Sequence, residues 1–353
     1  MRKYLIISLA ALAALASCSK QSEMDRQGEI GFNVVNFATK ANVAFTNEDF
    51  GTYAWHHAED GAVTPFMENE QVGKKGSEWK PLSRTYYWPK SGYINFVSYS
   101  PYIADASKVS VAEESIKITG YVVKDEDLMY ADRATNQTEN ITPGTYHDVS
   151  GANGVPTLFR HALAKLSFQV EASFLEHTAE DGSVTTWTVT LDEATLSGIY
   201  NTGDLSLDAD GDKWTTDGWK ADTGKSADPT KLVTGDPMEL STKPQPLYDG
   251  KSFYVLPQDL AADAQKITLV FHVVTKLPNG GILEEDIAQT FDLTDLSTLQ
   301  TWGMNQNIVY TIDIRPTKAI NPEDHPHDPD DAIITYDPAE VDWVEVKNAT
   351  IQV

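Results

Sequence analysis

Lys165-Leu166-Ser167-Phe168-Gln169-Val170-Glu171-Ala172 alternates strictly: Leu166, Phe168, Val170 and Ala172 on one side, Lys165, Ser167, Gln169 and Glu171 on the other. Successive side chains of an extended chain point to opposite faces, so this stretch reads as a strand packed on one side only. The same period of two recurs elsewhere. Trp187, Val189 and Leu191 alternate with Thr188 and Thr190, and Ile308, Tyr310, Ile312 and Ile314 alternate with Val309, Thr311 and Asp313. Ile267 to Val274 is apolar on both faces except at Thr268 and His272, the mark of a central strand. Glu29 to Phe37 reads as the first strand, with Ile30, Phe32 and Val34 sharing a face. No long amphipathic helix is found, and Leu296 to Trp302 is the one candidate for a short one. Turn residues such as Pro278-Asn279-Gly280-Gly281 separate the strands. The expected fold is all-β.

Two stretches break the pattern. Ala134 to Pro156 is polar and turn-rich. Pro316 to Asp331 holds Pro316, Pro322, Pro326 and Pro329 among five acids and two histidines, and reads as an extended linker. Beyond it, Ile333-Ile334-Thr335-Tyr336 and Val341 to Val353 are strand-like again.

The N-terminus has the layout of an export signal. Arg2 and Lys3 precede an apolar run, Leu5 to Leu15, broken only by Ser8 and too short to span a bilayer. Leu15-Ala16-Ser17-Cys18 then matches the bacterial lipobox, in which small residues fit the peptidase and the cysteine thiol takes the lipid. Cys18 is the only cysteine, so no internal disulfide or downstream thiol chemistry is available to the chain. Residues 1–17 are expected to be removed and residues 18–29 to be a polar tether from the membrane.

Over 353 residues the formal charge is −25, from 27 basic and 52 acidic residues. Removing residues 1–17 takes away Arg2 and Lys3 and no acid, so 25 basic against 52 acidic residues leave −27. Such a surface repels nucleic acid and anionic lipid. The chain is nevertheless 41% hydrophobic and 10% aromatic, enough for packed cores rather than disorder.

The chain carries no Gly-x-Ser-x-Gly elbow, phosphate-binding loop, HExxH pair or GxGxxG turn. Carboxylate pairs arise by chance among 52 acids and nominate no glycosidase centre. His325-Pro326-His327 reads as linker polarity rather than a metal site. Asp208-Ala-Asp210-Gly-Asp212 loosely resembles a calcium loop but lacks the full pattern, and a turn between Leu207 and Trp214 is the better reading. No catalytic residue, metal or cofactor is expected. Eight tryptophans raise the possibility of sugar stacking. Trp187 belongs to a core strand, while Trp214 and Trp219 lie in a polar stretch where hairpin packing is favoured over exposure.

Several segments together resemble the fimbrillin family of Bacteroidales, the Mfa-like and FimA-like type V pilins. They are Glu29-Ile-Gly-Phe32 with Thr39-Lys40-Ala41, Tyr86-Tyr-Trp-Pro89 leading into Tyr93 to Pro101, and Asp127-Leu-Met-Tyr-Ala131. Phe159-Arg-His161-Ala-Leu-Ala-Lys165-Leu-Ser-Phe168 is the most specific. Tyr200-Asn-Thr-Gly203-Asp-Leu205, Phe253-Tyr-Val-Leu-Pro257 and Trp302-Gly303 through Ile312 follow in order. The resemblance implies two transthyretin-like β-sandwich domains in tandem, an outer-membrane lipoprotein precursor and a structural or adhesive fimbrial subunit. It divides the chain into a signal peptide (1–17), a tether with a trimmed first strand (18–40), sandwich domains at 41–158 and 159–316, and a linker with a C-terminal strand segment (317–353). In such pilins a surface protease removes the first strand and another subunit's strand fills the groove, a form of strand addition. Lys40 stands where the family commonly has arginine, and Arg26 precedes the first strand. That departure points to a different protease, or to an untrimmed anchor or tip subunit.

The tail is the expected donor strand. Val344 and Val346 share one face and Ala349, Ile351 and Val353 the other, so a bulge near Lys347-Asn348 would bring both sets to one side. The alternative is that the tail closes its own domain as an edge strand. Expected partners are other fimbrial subunits, the outer membrane through the lipid, and a host glycan or protein ligand. The competing functional reading is a lipid-anchored glycan-binding protein of an outer-membrane uptake system.

Overall fold

The computed structural model describes residues 29–35, 45, 47–139 and 154–315, except 212, 216–217, 262–263 and 295–298. For 33–35, 332–336 and 344–345 it describes the backbone alone. The described chain is all-β, with a single-turn 3-10 helix at Tyr248–Gly250. No helix among the described residues is long and apolar enough to cross a membrane.

The first strands are β1 (Phe32–Val35), β2 (Asp49–His57), β3 (Val63–Lys75), β4 (Glu78–Pro81) and β5 (Tyr93–Ser100). The hairpin β6 (Val109–Ala112) and β7 (Ser115–Val122) follows, then β8 (Met129–Ala131), β9 (Ala134–Gln137) and β10 (Val155–His161). Eight of these form one sheet in the order β2-β3-β4-β1-β10-β8-β5-β9. Because β2 also pairs with β5, the path from β2 through β1 and β10 returns to its start. β5 is buried on both faces: Ile94 and Phe96 join Ile30, Phe32, Phe50 and Met67 in one core, while Val97 and Tyr99 join a second.

The next strands are β11 (Ala164–Glu171), β12 (Glu176–Thr178), β13 (Val184–Ser197), β14 (Thr202–Asp210), β15 (Lys213–Trp214) and β16 (Trp219–Ala221). Short strands β17 (Thr230–Lys231), β18 (Met238–Glu239), β19 (Gln245–Pro246), β20 (Phe253–Val255) and β21 (Gln258–Asp259) lead to the hairpin of β22 (Lys266–Lys276) and β23 (Ile282–Asp292). The chain ends with β24 (Thr301–Trp302), β25 (Gln306–Ile314), β26 (Ala332–Tyr336) and β27 (Val344–Glu345). Sheet β19-β11-β25-β26, with β20 on β11 and β27 on β25, shares a core with sheet β12-β13-β22-β23. Leu166, Phe168 and Val170 of β11 meet Ile308, Tyr310 and Ile312 of β25 in that core, and Phe168 stacks on Tyr310 at 5.0 Å. The alternation that identifies β11 is therefore the inner face of a sandwich. β22 is central, between β13 and β23, as its two-faced apolar pattern implies.

β13 needs one irregularity to serve this core. Trp187, Val189 and Leu191 face inward, and strict alternation would turn Ala194 and Leu196 outward. A register shift between Leu191 and Glu193 against β22 keeps both buried. One extra residue reverses the facing, which is what a β-bulge does. The turn at Pro278-Asn-Gly-Gly281 closes the β22–β23 hairpin, with Gly280 at φ +81. Gly211, at φ +63, turns β14 into β15, so the acidic run from Asp208 is a hairpin.

A fourth sheet, β15-β14-β7-β6 with β16 on β14, joins distant parts of the chain. β14 pairs with β7, and β10 runs unbroken across positions 158 and 159. Ala134 to Pro156 is not wholly loop, since β9 and the start of β10 lie within it. A correction concerns Leu296 to Trp302: Thr301 and Trp302 are extended and pair with β21, while 295–298 lie outside the described residues. Trp302 is fully buried and its Nε1 donates to the Tyr310 hydroxyl at 2.8 Å, so the core sets its conformation rather than local spacing.

Tyr310→Phe removes that acceptor and leaves an indole N–H buried without it. The expected loss is about 1–3 kcal/mol in urea unfolding at unchanged m-value. Wild-type stability in this variant would contradict the assignment.

Candidate functional site

The feature of the described chain with most functional content is the place of β1. Four residues long, it lies between β10 and β4. It runs parallel to β10, with Phe32, Asn33, Val34 and Val35 opposite Val155, Pro156, Thr157 and Leu158. On its other side Phe32 pairs antiparallel with Trp79 of β4. The Ile30 N–H donates to the Tyr86 carbonyl at 2.9 Å and the Val155 N–H to the Gly31 carbonyl at 2.8 Å. Lys80 bridges Glu29 at 3.4 Å and Glu78 at 2.9 Å, and its pKa is raised, first by the bond to Glu78 and then by Glu29.

The side chains explain why this segment takes the position. Ile30 is fully buried and Phe32 is 4% exposed. The Phe32 ring meets Phe50 and Phe96 edge-on at 5.4 and 5.7 Å. Burying the two side chains contributes roughly 3–6 kcal/mol gross, at about 1.5–3 kcal/mol each. Gly154, at φ +150, immediately precedes β10, and nothing larger fits: a Cβ there would lie 2.9 Å from the Gly31 carbonyl oxygen. The backbones approach so closely that a side chain at 154 would lift β1 from its seat.

Chain on the far side of β1 returns to the same spot. Phe45 stacks on Phe159 of β10 at 4.7 Å and meets Trp79 edge-on at 5.3 Å. Lys40 lies between Val35 and Phe45, outside the described residues. The segment holding the candidate cleavage site thus joins two points beside the same end of β10.

The family-like motifs converge on this neighbourhood. β10 pairs with β8, placing Phe159, Arg160 and His161 opposite Ala131, Tyr130 and Met129. Asp132 receives Arg160 Nε at 2.6 Å and Nη2 at 2.8 Å, and His161 Nδ1 bonds to the buried Asp127 carboxylate. After His161, Ala162 and Leu163 carry the chain into β11, both fully buried. No group of three or more His, Cys, Asp or Glu among the described residues is placed to hold a metal.

Of the other sequence candidates, Cys18, Val346, Ala349, Ile351 and Val353 lie outside the described residues, as do His325 and His327. The backbone at Val344 is described: Val344 and Glu345 run parallel to Gln306 and Asn307 of β25. β26 pairs with the later part of β25, Tyr336 to Ala332 opposite Tyr310 to Ile314. Trp214 is buried and its Nε1 donates to the Ala131 carbonyl at 2.7 Å, and Trp219 Nε1 donates to the Ala162 carbonyl at 2.6 Å. Trp214 follows the hairpin-packing reading, and Trp219 is half-buried. Gly154 and Phe45 escaped sequence reasoning, because a close backbone approach and an isolated aromatic in a polar stretch leave no periodic signal.

A family model described as fimbrillin-like matches residues 38–324. Among curated proteins, none matches the chain by sequence. Among solved structures, a fimbrial protein from Bacteroides vulgatus is 17% identical with a TM-score of 0.54, over 88% of this chain and 98% of that one. The tip fimbrial protein Mfa3 from Porphyromonas gingivalis, with C-terminal truncation, is 11% identical with a TM-score of 0.36, over 88% of this chain and 99% of that one. The first of these likenesses is one of fold.

Phe32→Ala empties the aromatic pocket under β1 and is expected to cost about 3–5 kcal/mol of its seating. Native-state hydrogen exchange should show the Val155 amide, which is bonded to β1, exchanging faster while amides of β22 are unchanged. An unaltered Val155 amide would mean that β1 is not held by Phe32.

Proposed function

The chain belongs to the fimbrillin-like family, and on that premise we propose that it is a non-catalytic subunit of a cell-surface fimbria that assembles by strand exchange. The observation that carries this reading is β1: a short strand inside a sheet, paired on both sides, joined to the rest through residues 36–44. Cutting after Lys40 would leave β1 held only by its own hydrogen bonds and two buried side chains. Once it departs, β10 has an unpaired edge and Phe50, Phe96 and Val155 lose their cover. An exposed edge beside an apolar groove is a template for another strand.

The donor in this reading is the tail of a second subunit, through Val344, Val346, Ala349, Ile351 and Val353. Burial of its branched side chains would supply roughly 6–12 kcal/mol gross, above the roughly 3–6 kcal/mol of the strand it replaces. The inequality gives exchange its direction, since the severed β1 also loses the high effective concentration of a tethered strand. Before exchange the described parts of the C-terminal segment, β26 and β27, pair with β25 of the same chain. The sandwich bodies, 41–158 and 159–316, would form the rigid unit between slot and donor, joined by the pairing of β14 with β7. Cys18 would carry the lipid that holds the precursor in the outer membrane, at the cell surface.

In assembled surface material the mature N-terminus should be Ala41, and deleting residues 344–353 should leave a folded, trimmed subunit that no longer polymerises. An N-terminus upstream of Glu29 in fibres argues for an untrimmed anchor or tip subunit. A truncated chain that unfolds as a monomer shows that the tail belongs to its own core.

Cys18→Ala should lose membrane association, and blocking lipoprotein signal peptidase should leave a longer, signal-bearing form of the wild-type chain. Normal membrane levels of this variant would remove the lipid from the account.

A further inference from the structure

A cleft beside β16 and the β21–β24 ribbon has no part in strand exchange. Its volume is about 610 Å³, well within the range of small-ligand sites. Its polar groups fall into two sets. Gln258 is used up internally: its Oε1 accepts from the Tyr200 N–H at 3.0 Å, and its Nε2 donates to the carbonyls of Tyr200 at 3.1 Å and Leu256 at 2.8 Å. The indole N–H of Trp219 donates to the Ala162 carbonyl, so its half-buried ring lines the cleft as carbon surface, while Trp302 is fully buried behind it with its N–H on Tyr310. The frame is therefore rigid before any ligand arrives.

The second set is exposed. Lys220, Thr223, Asp259 and Thr301 line the same cleft with their side chains in solvent. Asp259 and Thr301 are already bonded at 2.9 Å, which orients the carboxylate and hydroxyl together. Donors and acceptors are both present, and the lining carries one ammonium and one carboxylate. That balance does not suit a polyanion, and an aromatic wall does not suit a small ion. It suits a molecule with an apolar face and many hydroxyls, each of which donates and accepts.

We propose that this cleft binds a short neutral oligosaccharide, with Trp219 and Tyr200 as the stacking wall and Lys220, Thr223, Asp259 and Thr301 as hydroxyl contacts. Preorganisation of the frame keeps the ordering cost of binding low. The site is independent of the β1 slot and of whether the subunit is trimmed.

The test uses the full chain in detergent micelles on a printed array of neutral oligosaccharides, with hits titrated by tryptophan fluorescence. At least one glycan should bind saturably with Kd at or below about 1 mM. Lys220→Ala and Thr223→Ala, both at exposed positions, should weaken it by about tenfold or more while keeping the wild-type melting temperature. Trp219→Ala should abolish it. A blank array overturns the proposal, as does binding that the Lys220 and Thr223 variants leave unaltered.

Discussion

The edge of β10 is the constraint on which the first half of the molecule depends. A strand between two neighbours must hydrogen-bond on both sides, and β10 finds β8 on one side and β1 on the other. An unmade pair of this kind, buried beside an apolar core, costs more than its modest net contribution when made. The ring that returns from β5 to β2 therefore closes only while β1 is seated. Gly154 is the local expression of the same constraint, since its missing side chain leaves room for the backbone of β1.

A second dependence runs along the chain. β10 belongs to the first sheet and β11 to the C-terminal sandwich, and only Ala162 and Leu163 separate them. The Ala162 N–H donates to the Leu128 carbonyl, and the Leu163 carbonyl accepts from the Asn305 N–H, both within 2.9 Å. The Ala162 carbonyl also accepts the Trp219 indole. Small and branched side chains with no polar atoms can be buried at such a crossing while the backbone satisfies every neighbour. The slot for β1 and the sandwich that carries the tail are thus parts of one hydrogen-bonded body. In a fibre subunit, force applied at one would be borne by the other through this crossing.

The cleft beside β16 belongs to the same junction. Trp219 packs at the crossing on one side and lines the cleft on the other. Rigid walls with exposed polar groups at the rim arise there because two cores meet and neither fills the space between them. The seat of β1 and this cleft lie on different elements, β10 and β4 for the one and β16, β21 and β24 for the other.

Much of this was legible in the residues. Strict alternation in β11, β25 and the first half of β13 identified those strands and their buried faces, because a period of two is a local property of extended chain. Order of motifs identified the family, and the turns at Gly211 and Gly280 followed from residues that tolerate positive φ. Tertiary structure decided the remainder. Nothing local distinguishes β1 as an inserted strand from an ordinary first strand, since its neighbours, β10 and β4, lie far along the chain. The bulge that keeps Ala194 and Leu196 inside β13, the extended conformation of Trp302, and the pairing of β14 with β7 are likewise consequences of packing. Periodicity reports which face a residue turns to a core. Which core, and which partner strand, is set by contacts between residues distant in sequence, and these exist only once the chain has folded.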